Sequence, residues 1–157
     1  MEGEYTGHVK DGKVHGVGVC VYTDGSRYQG DWKAGLKCGR GTHSFASGDQ
    51  FEGEWENGWM HGLGVYTWKI GDKYIGEVHY GRIHGFGTYT WRTNSKYVGQ
   101  WKDGRMHGSG VKTDPHGARA DTHAHAHFFF FERYVPRCSV RAQVIYSRAN
   151  GRRASRC

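Results

Sequence analysis

The chain has 157 residues, room for one domain or one short repeat array, with 26 glycines, 2 prolines, 15% aromatic residues and an apolar fraction of 36%. So few aliphatic side chains exclude a thick two-layer core, whereas glycine with tyrosine and tryptophan suits thin, turn-rich β structure. The net charge of +7 is uneven: residues 1–114 carry 14 Lys+Arg against 13 Asp+Glu and residues 115–157 carry 8 against 2, so most of the chain has no electrostatic footprint for phosphate and no nucleic-acid partner is expected.

From Tyr5 the stretch YTGHVKDGKVHGVG returns as YQGDWKAGLKCGRG from Tyr28, FEGEWENGWMHGLG from Phe51, YIGEVHYGRIHGFG from Tyr74 and YVGQWKDGRMHGSG from Tyr97, a period of 23 residues without insertion. A fixed period of this length marks an array whose units bury apolar surface only by stacking on their neighbours. Turn signals fall at Gly12, Gly25, Gly35, Gly48, Gly58, Gly71, Gly81, Asn94 and Gly104, alternately 13 and 10 residues apart. Glycine and asparagine tolerate positive φ best, and pairs such as Asp11-Gly12 and Asn57-Gly58 favour tight hairpins. Each repeat therefore reads as two strands and two turns.

Alternation along the strands sorts the side chains. In the second unit Tyr28, Gly30 and Trp32 share one face and Gln29 and Asp31 the other; in the third, Phe51, Gly53 and Trp55 oppose Glu52 and Glu54. The returning strands add Gly62, Gly64, Tyr66 and Trp68, then Gly85, Gly87, Tyr89 and Trp91, with Leu63, Val65 and Thr67 behind. Glycine weakens a strand unless something needs the space, and here that something is a ring from the neighbouring strand. Tyr28, Trp32, Phe51, Trp55, Tyr66, Trp68, Tyr74, Tyr89, Trp91, Tyr97 and Trp101 form the candidate interaction face, with packing as their main role. The expected fold is all-β: an elongated, twisted antiparallel sheet of consecutive hairpins, about 10 Å per repeat and about 50 Å in all.

After Asp114-Pro115 the period stops, which divides the chain into an array over 1–114 and a low-complexity basic tail over 115–157, largely irregular and weakly helical from Ser139 to Ala149. His123, His125 and His127 alternate with alanine before the run Phe128–Phe131, a composition that simple nucleotide repeats also encode. Tyr5 already begins a repeat with nothing before it to shield the edge, so a longer array, a partner or self-association is expected to cover that strand.

Reactive chemistry finds no support in these patterns. His15, His61, His84 and His107 recur once per unit, about 10 Å apart, whereas zinc ligands sit about 2 Å from one ion. GHVKDGKV has the spacing of a phosphate loop, but Val14 stands where a magnesium-binding hydroxyl belongs and no helix follows. Glu52, Glu54 and Glu56 lie on the polar side of a strand and read as solvated. Neither catalysis, nor a cofactor, nor a metal is expected. Cys20, Cys38, Cys138 and Cys157 lack any C-x-x-C spacing and are expected as incidental reduced thiols. No apolar run approaches the ~18 residues of a membrane span and no basic, apolar leader opens the chain, so a cytoplasmic location is expected, at most peripheral to a membrane or the cytoskeleton.

The frame Y-x-G-x-W-x-x-G-x-x-H-G-x-G resembles the MORN repeat (membrane occupation and recognition nexus), in five units over residues 5–114. Val9 and Val78 replace its tryptophan, Phe51 a tyrosine and Cys38 a histidine, each at one rung and none at a turn. The resemblance implies an extended hairpin array acting as a non-enzymatic binding scaffold, for a protein partner or for self-association at a membrane or the cytoskeleton. It also admits anionic phospholipid as ligand, or service as the regulatory array of a larger enzyme.

Overall fold

Two kinds of turn alternate along the chain and set its course. At Asp11-Gly12, Ala34-Gly35, Asn57-Gly58, Tyr80-Gly81 and Asp103-Gly104 both residues have positive φ, from 45° to 89°. This is the two-residue geometry whose twist matches that of paired strands. The turns Tyr22–Ser26, Phe45–Asp49, Trp68–Asp72, Trp91–Ser95 and Asp114–Ala118 each close with two backbone hydrogen bonds, as where Tyr22 donates to the Ser26 carbonyl at 2.9 Å and Gly25 to that of Tyr22 at 3.0 Å. Their left-handed residues are Gly25, Gly48, Gly71, Asn94 and Gly117. Every turn expected from the sequence is present, and the one at Gly117 extends the series.

The computed structural model describes residues 2–123 and 139–140, with side chains from 3 to 121. The strands are β1 (Glu2–Lys10), β2 (Lys13–Tyr22), β3 (Arg27–Lys33), β4 (Leu36–Ser44), β5 (Gln50–Glu56), β6 (Trp59–Thr67), β7 (Lys73–His79), β8 (Arg82–Thr90), β9 (Lys96–Lys102), β10 (Arg105–Thr113), β11 (Arg119–His123) and β12 (Ser139–Val140). From β1 to β11 each strand pairs with its neighbours in sequence, in one open antiparallel sheet. The ladder runs past residue 114 through the turn at Asp114–Ala118 into β11. β12 lies parallel on β1, with Glu2 opposite Ser139 and Gly3 opposite Val140, and so covers the start of that edge. The histidine–alanine stretch beyond His123 and the expected helix beyond Val140 lie outside the described residues.

The register turns the repeat into rows that cross the sheet. Gly7, Gly18, Gly30, Gly41, Gly53, Gly64, Gly76, Gly87, Gly99 and Gly110 follow one another in cross-strand pairs, an unbroken glycine row from β1 to β10. Beside it runs a row of larger groups, Tyr5, Cys20, Tyr28, His43, Phe51, Tyr66, Tyr74, Tyr89 and Tyr97. A second buried series follows the two-residue turns: Val14, Lys37, Met60 and Ile83 are buried, and Met106 packs against the same core.

Cys20 corrects one expectation. It is fully buried and disulfide-bonded, with its partner outside the described residues, while Cys38 is free. Spacing within the sequence does not reveal this pairing.

Candidate interaction surface

The rings close upon one another. Trp32 stands edge-on between Tyr5 and Tyr28, at 5.7 and 5.0 Å between ring centres. Trp55 is held the same way between Tyr28 and Phe51, at 5.1 and 5.5 Å, and Trp101 between Tyr74 and Tyr97, at 5.6 and 5.2 Å. Each indole N–H also reaches back to a glycine carbonyl of the preceding repeat: Trp32 to Gly18 at 3.2 Å, Trp55 to Gly41 at 3.0 Å and Trp101 to Gly87 at 3.3 Å. Tyr28, Tyr74 and Tyr97 lie along the glycine row and donate to the carbonyls of Asp31, Glu77 and Gln100. A Cβ on Gly41 or Gly87 would strike the Tyr28 or Tyr74 ring. Edge-to-face pairs contribute about 0.5–1.5 kcal/mol each beyond area burial, so Trp32 on Tyr5, Trp55 on Tyr28 and Trp101 on Tyr74 bind repeat to repeat.

Of the candidate face, Tyr28, Trp32, Phe51, Trp55, Tyr66, Tyr74, Tyr89, Tyr97 and Trp101 are buried by the array itself, at most 6% exposed. Trp68 and Trp91 are half-buried and pack against that core. Tyr66 and Tyr89 donate from their hydroxyls to Asp49 and Asp72. The ring side is thus a closed core with two indoles at its margin.

Within this core the second unit carries an ionisable pair. Lys37 is 2% exposed, and its Nζ lies 3.2 Å from Nδ1 of His43, which is 3% exposed. The ammonium group is 5.2, 4.9 and 4.9 Å from the ring centres of Tyr22, Tyr28 and Trp55. Burial depresses the Lys37 pKa to about 7, against weak support from Asp24. Burial first, and Lys37 second, depress His43 to about 3. His43 Nε2 and the Tyr22 hydroxyl have no partner among the described residues.

A second repeating device sits behind the rings. Asp31, Glu54, Glu77 and Gln100 accept the backbone N–H of Arg40, Leu63, Phe86 and Ser109, at 2.9 to 3.2 Å. Those amides follow a bulge at Gly39, Gly62, Gly85 and Gly108, all with positive φ, where a Cβ would collide with the same acceptor groups. Glu54 therefore shapes the backbone, a role that alternation alone hides but that an acidic or amide residue at every 23rd position signals. The recurring histidines brace the next hairpin: Nδ1 of His15 accepts from the Ala34 amide at 3.5 Å, and that of His84 from Asp103 at 3.4 Å. His61 instead lies 3.5 Å from a Glu56 oxygen and packs on His79 and Tyr80.

The outer face is open. Leu63, Ile75, Phe86 and Val98 are 60, 50, 57 and 42% exposed. Cross-strand pairing places Val65, Ile75, Thr88, Val98 and Val111 in one row from β6 to β10, ending at Glu52 on β5 and Asp121 on β11. One residue pair along the strands, a parallel row carries Leu63, Glu77, Phe86 and Gln100. On the other side stand Thr67, Lys73, Thr90, Lys96, Thr113 and Arg119. Towards β3 the central row turns polar, through Thr42 and Gln29.

An open hairpin ladder in which each unit touches only its neighbours defines a quasi-one-dimensional all-β repeat array. The MORN-repeat sequence profile matches residues 5–27, 28–50, 51–73, 74–96 and 97–119, and the chain belongs to the MORN-repeat family. Such repeats are in general protein- or membrane-binding repeats. No curated protein matches the chain in sequence. Among solved structures it is similar to the SAS-4 (dCPAP) TCP domain in complex with a proline-rich motif of Ana2 (dSTIL) of Drosophila melanogaster, with 11% identity and a TM-score of 0.40 over 70% of this chain and 73% of that one.

Proposed function

We propose that this chain is a non-enzymatic scaffold that binds a protein partner through the outer face of its sheet. The observation that carries the reading is the exposure of Leu63, Ile75, Phe86 and Val98 together on that face, while the rings behind it are spent on holding the repeats together. Contiguous exposed apolar side chains with a polar rim are the mark of an interaction surface. Affinity capture with the full chain, paired with sedimentation analysis of the purified protein, tests it. A partner enriched at moderate salt, or a concentration-dependent oligomer, supports the scaffold; neither appearing sinks it.

Anionic phospholipid is the second reading, favoured by Lys73, Lys96 and Arg119 in one row and by the excess of 8 Lys+Arg over 2 Asp+Glu after residue 114. Flotation of the full chain with phosphatidylserine vesicles, with and without Lys73→Gln plus Lys96→Gln, separates the two. The location that accompanies both readings is cytoplasmic, at a membrane or cytoskeletal surface. The disulfide at Cys20 weighs against that location, because disulfides persist in oxidising compartments, and thiol titration of freshly lysed protein decides it.

A further inference from the structure

Resting on the scaffold reading, we infer that the outer face over β6–β10 is a seat for one amphipathic α-helix of a partner protein, laid across the strands. The apolar row Val65, Ile75, Thr88, Val98 and Val111 crosses the strands rather than following one, so its ligand must run perpendicular to them. Along that direction the pattern repeats every two strands, about 9.6 Å. Seven residues of α-helix rise about 10.5 Å, so apolar residues spaced by heptads stay in step with the repeat over a few turns.

Width and charge select the helix further. The row with Glu77 and the row with Lys73 and Lys96 lie four residues apart along each strand, about 13 Å, which matches the roughly 10–12 Å diameter of a helix with its side chains. A polyproline segment has a similar axial repeat but is too thin to reach both rows at once. Glu54 and Glu77 offer carboxylates on one flank, and Lys73, Lys96 and Arg119 offer cations on the other. Leu63, between Glu54 and Glu77, and Phe86, between Glu77 and Gln100, widen the apolar floor on that side. The complementary ligand is a helix with an apolar heptad stripe, basic residues along one flank and acidic residues along the other. Turning such a helix end for end exchanges its flanks, so one of the two orientations satisfies both rows and the other sets like charges together. An all-basic or all-acidic helix satisfies only one.

The probes are synthetic helices of roughly 20 residues with leucine at heptad positions, in three versions: flanks of opposite charge, both flanks lysine, both flanks glutamate. Their affinity for the full chain is measured by fluorescence anisotropy at moderate salt. The opposite-charge helix is expected to bind tightest. Ile75→Thr plus Phe86→Thr, which keeps strand-forming residues at both sites, is expected to weaken it about tenfold or more. Lys73→Glu plus Lys96→Glu is expected to switch the preference to the all-lysine helix. Thermal melts confirm that each variant is folded. Equal binding of the three helices, or no switch in the charge-reversed variant, overturns the helix seat. So does a loss of binding to vesicles with roughly 30% phosphatidylserine in the Ile75→Thr plus Phe86→Thr variant while helix binding is unchanged. A partner captured by the full chain and retained by that variant leaves the scaffold reading standing and removes this surface from it.

Discussion

Lys37 occupies a slot that Val14, Met60, Ile83 and Met106 fill in the other repeats. Its free amine is best tolerated neutral, and the pH dependence follows from that. The folded pKa is about 7 against 10.5 in the open chain, so between these values the unfolded chain holds a proton that the folded chain has released. Stability therefore rises with pH across that window, by about 5 kcal/mol at most, and the full penalty applies below pH about 7. His43, depressed from 6.5 to about 3, adds a loss of stability as pH falls through that range. Burial raises the pKa of Tyr22, Tyr28, Tyr74 and Tyr89, so above pH 10.0 the unfolded tyrosines ionise first and stability declines again. Urea titrations across pH should place the maximum between pH about 9 and 10. Lys37→Met should raise stability at pH 7 by roughly 2–3 kcal/mol and flatten the rise between pH 7 and 10, with the acid-side loss from His43 retained; a variant that melts at or below the parent would refute the account. The sequence already held this information, since aligning the repeats column by column sets a lysine among Val, Met, Ile and Met. A charged side chain next to a turn is read as solvated unless that comparison is made.

At the scale of the hairpin, the turns were fully legible, because a positive φ selects glycine or asparagine and the selection repeats. The bulges were not, because a glycine inside a strand has several explanations and only the register shift at Gly53/Trp55 and its equivalents picks one. Two substitutions tell these sites apart. Gly12 has a φ of +69° and nothing near its absent Cβ, so Gly12→Ala costs about 1 kcal/mol from backbone strain alone. Gly62 has a similar φ of +75° but faces the Glu54 carboxylate, so Gly62→Ala costs roughly 2–4 kcal/mol and breaks the hydrogen bond to Leu63. Chemical denaturation of both variants checks the difference. Ala34 sits at φ 50° in a two-residue turn where asparagine or aspartate serves in three of the other four repeats, so Ala34→Asn should add about 0.5–1 kcal/mol.

For the whole molecule, strand alternation told which side carried the rings but not that the rings would seal that side. Closure depends on Trp32 touching Tyr5 as well as Tyr28, a contact between repeats that no single strand displays. It moves the exposed apolar surface to the opposite face, where Leu63 and Val65 stand. Uniform coupling between neighbours also makes the array divisible. Deleting residues 74–96, one full period, joins Lys73 to Tyr97 with every later register intact and brings Trp101 against Phe51. The shortened chain should fold, unfold at lower urea, and show an m-value reduced by roughly a fifth; a collapse of the β signature would mean that the repeats are not interchangeable.

The edge-on rings have an optical consequence as well. Tyrosines and tryptophans fixed 5.0 to 5.7 Å apart at nearly right angles hold their transition dipoles in a defined chiral arrangement. Light absorbed by the tyrosines passes to Trp32, Trp55 and Trp101, and the coupled bands give a strong near-ultraviolet dichroism that disappears when adjacent repeats separate. The protein carries its own label at these junctions, and the junction at Val78, which lacks the edge-on indole, is spanned instead by Trp68 against Tyr89 at 5.1 Å.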